Sequence, residues 1–186
     1  MRDEPPDAAS GPLSPDDEFI DVVDENNAPL AVLSLREAHR QTLYHRSVLV
    51  LVYNSRGKVF LQKRSLGKDR YPGRWDISAT GHVRSEESLH DAAVRELYEE
   101  LGISVSSLRR VGEVEAGPET GYEFVTLFSA GVVSTVLTPN PDEVLDGYFF
   151  DDSELSCLVE QFRELLTPGL VHFWEKGLIF GKAAEA

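Results

Sequence analysis

The chain has 186 residues, 41% of them hydrophobic, and carries 18 lysines and arginines against 32 aspartates and glutamates, for a net charge of −14. That length suits a single domain around one core, and the charge argues against a nucleic-acid partner because nothing basic compensates a phosphate field. A lone cysteine, Cys157, excludes an internal disulfide, and the longest apolar run, Val48 to Tyr53, is too short to cross a bilayer, so a reducing cytoplasmic setting without a membrane partner is expected.

Residues 1–17 hold four prolines and several acids with almost nothing apolar, the composition of a disordered tail; a single domain is expected over residues 18–180. Two short strands, Phe19 to Val23 and Pro29 to Leu33, flank the turn Glu25-Asn26-Asn27, and a short helix follows from Leu35 to Thr42. Val48 to Tyr53 and Lys58 to Lys63 form a hairpin around Asn54-Ser55-Arg56-Gly57. Trp75 to Ala79 leads into a long helix from about Glu86 to Leu101, with Ser85 as its cap, Glu86 and Glu87 in its first turn, and Gly102 ending it. Strands are expected at Val105 to Glu115, Glu123 to Val133 and Val144 to Phe150. Asp152 or Ser153 then caps a helix reaching about Leu166, with Cys157 as a small buried hydrophobe, and a last helix runs from Pro168 to Lys176. Strands around one long helix, with more helices at the end, imply a mixed sheet in an α/β/α sandwich.

The chemistry concentrates between Gly81 and Ile103, which reads G-x5-E-x7-R-E-U-x-E-E-x-G-U with U aliphatic. Steps of three and four residues put Glu96, Glu99 and Glu100 on one helix face, within reach of a single ion. Their oxygen ligands suit a hard divalent cation, Mg2+ with Mn2+ as the alternative. Val94, Leu97 and Leu101 form an apolar stripe for the opposite face, Ala92 and Ala93 leave room beside the carboxylates, and Arg95 can steady Glu99. The plain alternative is a solvated acidic helix, which the flanking glycines and the fixed spacing disfavour. Just before this segment, Lys63, Arg64, Lys68, Arg70 and Arg74 crowd into twelve positions of an otherwise acidic chain, a place to hold a phosphate tail. Trp75 is a candidate for stacking on the substrate, or else a core residue.

The Gly81 to Ile103 pattern resembles the Nudix box of hydrolases that cleave a diphosphate linked to another group. With His45, Pro72-Gly73, Trp75 and Gly81-His82, the resemblance narrows to the branch of isopentenyl-diphosphate isomerase and hydrolases similar to it. It implies a Nudix-type α/β/α sandwich with a mixed sheet, and a small-molecule diphosphate as partner, with a homodimer left open. It also implies metal ligands among Glu96, Glu99, Glu100, Glu87 and the carbonyls of Thr80 or Gly81. Arg64, Lys68 and His82 would meet substrate. Glu96 is the first candidate for the base, with Glu143 and Glu123 behind it and Arg95 as a further catalytic candidate. The isomerase's three-histidine, two-glutamate metal site is matched in part: His45, His82 and Glu123 correspond, His39 is displaced by one residue, and the other glutamate falls on Gly121. Its catalytic cysteine falls on Thr80, a far weaker acid. The resemblance therefore implies a metal-dependent hydrolase of a nucleoside diphosphate derivative or other organic diphosphate. An isomerase of the same type and a non-catalytic ligand-binding module are the alternatives.

Overall fold

A computed structural model describes residues 18–181; the acidic, proline-rich tail lies outside the described residues. Strands β1 (Phe19–Val23) and β2 (Pro29–Ser34) pair antiparallel as a separate ribbon, and helix α1 (Leu35–Gln41) follows, capped by Ser34. Ile20, Val22, Leu35 and Ala38 bury together as a small satellite core.

The main sheet has seven strands: β3 (His45–Tyr53), β4 (Val59–Arg64), β5 (Trp75–Asp76), β6 (Ala79–His82), β7 (Arg109–Val114), β8 (Glu123–Val132) and β9 (Val144–Phe150). β3 is central, with β8 parallel on one side and β6 antiparallel on the other, so the sheet is mixed. Because successive side chains of a strand point to opposite faces, Leu49, Leu51 and Tyr53 enter one core while Val48, Val50 and Val52 enter another. This double burial explains the unbroken apolar run. Helix α2 (Leu89–Leu101) closes one face through Ala92, Ala93, Leu97 and Leu101. Helices α3 (Asp152–Gln161) and α4 (Pro168–Glu175) close the other through Leu155, Val159, Leu170, Val171 and Phe173. The result is an α/β/α sandwich with the N-terminal ribbon and α1 as a small satellite.

Several boundaries differ from the sequence-based expectation, each for a local reason. α2 starts at Leu89, not near Glu86: Ser88 accepts from the Asp91 N–H, while Glu86 sits at φ +66° and ends any helix before it. Ser85 instead donates to Asp21. Ala92 and Ala93 belong to the buried face with Leu97, so they serve helix-to-sheet packing rather than space beside the carboxylates. α3 is capped by Asp151 in a reciprocal box with Glu154 and stops at Gln161; a separate 3-10 turn spans Arg163–Leu165. On α3 the pair Leu155 and Val159 takes the core side, which leaves Cys157 exposed rather than buried.

Candidate metal and phosphate site

β6 runs alongside α2 and brings Thr80, Gly81 and His82 against the glutamate face of the helix. The approach is close: a Cβ at Gly81 would lie 1.9 Å from the Glu96 carboxyl. Thr80 N–H donates to Glu100 Oε2 at 2.9 Å, and buried Gln62 donates its Nε2 to the same oxygen at 2.7 Å. The other oxygen, Oε1, is buried without a hydrogen-bond partner, with Lys68 Nζ at 3.8 Å. Glu96 is buried as well, and Glu99 is partly open.

Arg95 clamps this face. Its Nη1 donates to Glu96 and to Glu99 at 3.1 Å, and its Nη2 to the His82 carbonyl at 2.9 Å. Nε and Nη2 also grip Glu87 at 2.8 and 2.9 Å, and Glu87 accepts from the Arg84 N–H at 3.0 Å. Glu87 is thus spent on holding Arg95 and does not line the cavity, although the sequence places it among the candidate metal ligands. Arg95 thus fixes the orientation of these carboxylates.

The same cavity, of about 810 Å3, is also lined by Arg64, Lys68 and Arg70. The loop after β4 folds back on itself: Arg64 Nε donates to the Arg70 carbonyl at 3.0 Å, and Arg64 Nη1 lies 3.4 Å from Asp76. Asp76 is buried and accepts from Thr167 Oγ1 and the Ile77 N–H, so its carboxylate anchors Arg64. Asn140 N–H donates to the Glu100 carbonyl and Ser65 N–H to the Glu143 carbonyl; these bonds draw Glu143 up to the Lys68 ammonium. Trp75 takes no part in the cavity: its ring packs against Tyr148 and Phe150 beside the core, with Lys63 over one face.

A second group of polar residues lines the same cavity. His39 on α1, His45 on β3, His82 on β6 and Glu123 on β8 each offer one ligand atom, all within 4.8 Å of one another. The parallel register of β3 and β8 sets His45 directly beside Glu123. His45 Nδ1 contacts the Leu43 carbonyl at 2.8 Å, which a ring N–H there satisfies, and leaves Nε2 free to accept or ligate. Among the described residues this is a group that could hold a metal ion. His39 departs from its expected place by one residue in sequence yet reaches the cluster from the helix.

Burial dominates the proton affinities here. It pushes the Glu96 and Glu100 carboxyls above the usual range, against the opposing charges of Arg95 and of Lys68 respectively. It pushes His39 down to about 3 and His45 down to about 4, with His82 reinforcing both. A raised carboxyl contributes stability that is complete below its unfolded pKa, about 4.3, and lost as pH rises through the folded value. A depressed histidine contributes stability present above about 6.5 and lost as pH falls toward its folded value. Metal-stripped protein is therefore expected to lose melting temperature on both sides of a maximum between about pH 4.5 and 6.5. Melting curves in chelator from pH 4 to 9 check this; a melting temperature still rising from pH 7 to 9 would contradict it.

The fold recurs in a solved structure, and the sequence has curated relatives. A crystal structure of DR0079 from Deinococcus radiodurans superposes with a TM-score of 0.76 over 86% of this chain and 98% of that one, at 23% identity. An uncharacterized Nudix hydrolase of Pseudomonas aeruginosa is 43% identical over 134 residues, 72% of this chain and 79% of its own. An isopentenyl-diphosphate Delta-isomerase of Streptomyces coelicolor is 34% identical over 145 residues, 74% and 73% of the two chains. The family model of the NUDIX domain matches residues 43–167, from the strand bearing His45 through the glutamate helix to the Thr167 that anchors Asp76, and the chain belongs to the NUDIX family.

Proposed function

We propose that the protein is a metal-dependent diphosphohydrolase acting on an organic diphosphate, nucleoside diphosphate derivatives included. The observation that carries this reading is the pair of buried carboxylates, Glu96 and Glu100, lining one cavity with Arg64 and Lys68, with Glu100 Oε1 buried without a hydrogen-bond partner. Two buried, mutually repelling carboxylates are costly unless a cation compensates them. An all-oxygen set of Glu96, Glu99 and Glu100, with Thr80 and Gly81 alongside, fits Mg2+ or Mn2+. When bound, such an ion supplies neutralisation of the charge developing on the diphosphate oxygens.

The chain's own residues do the rest. Arg64, held by Asp76, and Lys68 position the phosphates. Glu96, with raised proton affinity and an orientation fixed by Arg95, takes the proton from the attacking water; Glu143 and Glu123, which also line the cavity, are the next candidates. Water oxygen bonds to phosphorus as the bridging phosphorus–oxygen bond breaks, which releases two phosphorylated products or a monophosphate and inorganic phosphate. Among the described residues no helix is long and apolar enough to cross a membrane, and a cytoplasmic setting suits soluble substrates of this class.

The test is a panel of diphosphates with Mg2+ or Mn2+ in 18O-water, read by mass spectrometry; label in a phosphate product supports hydrolysis. One observation favours a second reading, allylic diphosphate isomerisation: the three histidines and Glu123 converge as the isomerase resemblance implies. Deuterium uptake into isopentenyl diphosphate with its diphosphate retained would favour that reading and sink the hydrolase. Arg64→Ala or Lys68→Ala is expected to raise KM by about 10- to 100-fold, the worth of one charge-assisted bond. The factor should be similar for substrates sharing one diphosphate; a widely varying factor would mean these side chains read the organic group.

A further inference from the structure

The histidine cluster already contains a cation. Arg70 Nη1 lies 3.1 Å from Glu123 Oε1 and 3.5 Å from His39 Nε2. Its guanidinium occupies the space that a side chain at position 121 would need: a Cβ on Gly121 would meet Arg70 Nη2 at 2.5 Å. Arg70 satisfies the cluster only in part. His45 Nε2 is buried, has no hydrogen-bond partner and lies 3.8 Å from Glu123 Oε1, as does His82 Nε2. A bare imidazole nitrogen facing a carboxylate is unfavourable without a cation between them.

We propose that Arg70 is a built-in competitor for this cluster: a divalent transition metal binds His39, His45, His82 and Glu123 only by displacing its guanidinium from Glu123. Three imidazoles and one carboxylate favour a borderline metal such as Zn2+ or Co2+ over the hard ion suited to the glutamates of α2. With Arg70 in place, a metal must both break the Arg70–Glu123 pair and tolerate a positive charge beside it. The displaced side chain has somewhere to go, since it is 37% exposed at the cavity wall. The Arg70 carbonyl that receives Arg64 Nε is main chain, so replacing the side chain leaves that contact intact.

The experiment titrates Co2+ into the full-length protein with Mg2+ in excess to occupy the glutamates, and follows visible absorption of the nitrogen-rich site. Arg70→Ala is expected to bind Co2+ at least about tenfold more tightly than wild type, and the added signal is expected to vanish in Arg70→Ala with His45→Ala. Arg70→Gln, which removes the charge while keeping much of the side chain's bulk, should shift affinity in the same direction and decides the matter if Arg70→Ala fails to fold. Equal Co2+ affinity in wild type and the folded variant would overturn the proposal. So would Co2+ binding that ignores the loss of His45. The readout is metal affinity, so its outcome is independent of whether the protein hydrolyses diphosphates.

Discussion

Glu100→Gln is expected to lower kcat/KM by on the order of 10^3-fold, the loss of several kcal/mol of metal-assisted charge stabilisation, while leaving the metal-free protein at least as stable as wild type. Both halves follow from the same burial. Glu100 is almost fully buried, with one oxygen held by Thr80 N–H and Gln62 Nε2 and the other without a hydrogen-bond partner, 3.8 Å from Lys68 Nζ. A glutamine oxygen can still accept both of those bonds, and the neutral amide removes the cost of a buried charge. What disappears is a charged ligand. The rise in melting temperature that Mg2+ gives wild type, a binding linkage, should shrink or vanish in the variant. The alkaline fall of metal-free stability should flatten, because a group whose raised pKa drove part of it is gone. Wild-type activity in a metal-titrated assay, or an undiminished Mg2+ stabilisation, would remove Glu100 from the metal site and undercut the hydrolase reading with it.

The sandwich was legible because its strands carry strong signals: β1 and β9 have the bounds that apolar patterning predicts, and β3 is longer only at its polar end, where His45 to Ser47 continue the pairing with β8. The start of α2 was not legible. Ser85 and Ser88 are equally good caps by type, and only the left-handed Glu86 between them, with Glu87 drawn back to Arg95, decides for Ser88. Glu87 illustrates the limit of motif reading. A fixed glutamate near a metal site invites assignment as a ligand, yet its two oxygens are engaged by Arg95, a partner eight residues away that spacing alone does not reveal.

Other residues of the site had weaker signals in the chain. Gln62 is a buried amide following the buried Val59, Phe60 and Leu61 of β4, a hint that some polar partner awaits it; that partner, Glu100, is 38 residues downstream. Asp76 gave no such hint, since its role depends on Thr167, 91 residues away, and on the return of the loop that carries Arg64. Arg70 was visible as one of five basic residues but not as the one turned toward Glu123. That turn becomes intelligible only with Gly121 beside it, where the absence of a side chain makes the space.

Gly81→Ala tests whether the close approach of β6 to α2 is functional or merely compact. The backbone at Gly81 lies outside the left-handed region and accepts Ala without strain, and the atoms in the way belong to the far end of the Glu96 side chain, at 1.9 Å from the new Cβ. A flexible side chain can swing aside at small cost, so the fold should survive with little change in melting temperature. The displaced carboxylate, however, is the first candidate for the base and a candidate ligand, and Arg95 would be pulled with it. A fall in kcat of about 10^2- to 10^4-fold, the usual worth of a positioned base, is expected together with weaker Mg2+ binding. Gly102→Ala is the contrasting control. There the Cβ would meet the Thr138 carbonyl oxygen at 2.9 Å, and the backbone sits at φ +65°. Neither can yield cheaply, so that variant should lose about 1–2 kcal/mol of stability and keep most of its turnover per folded molecule. If Gly81→Ala instead unfolds the protein while retaining activity in the folded fraction, the tight contact serves packing, and Glu96 has no catalytic need of its position.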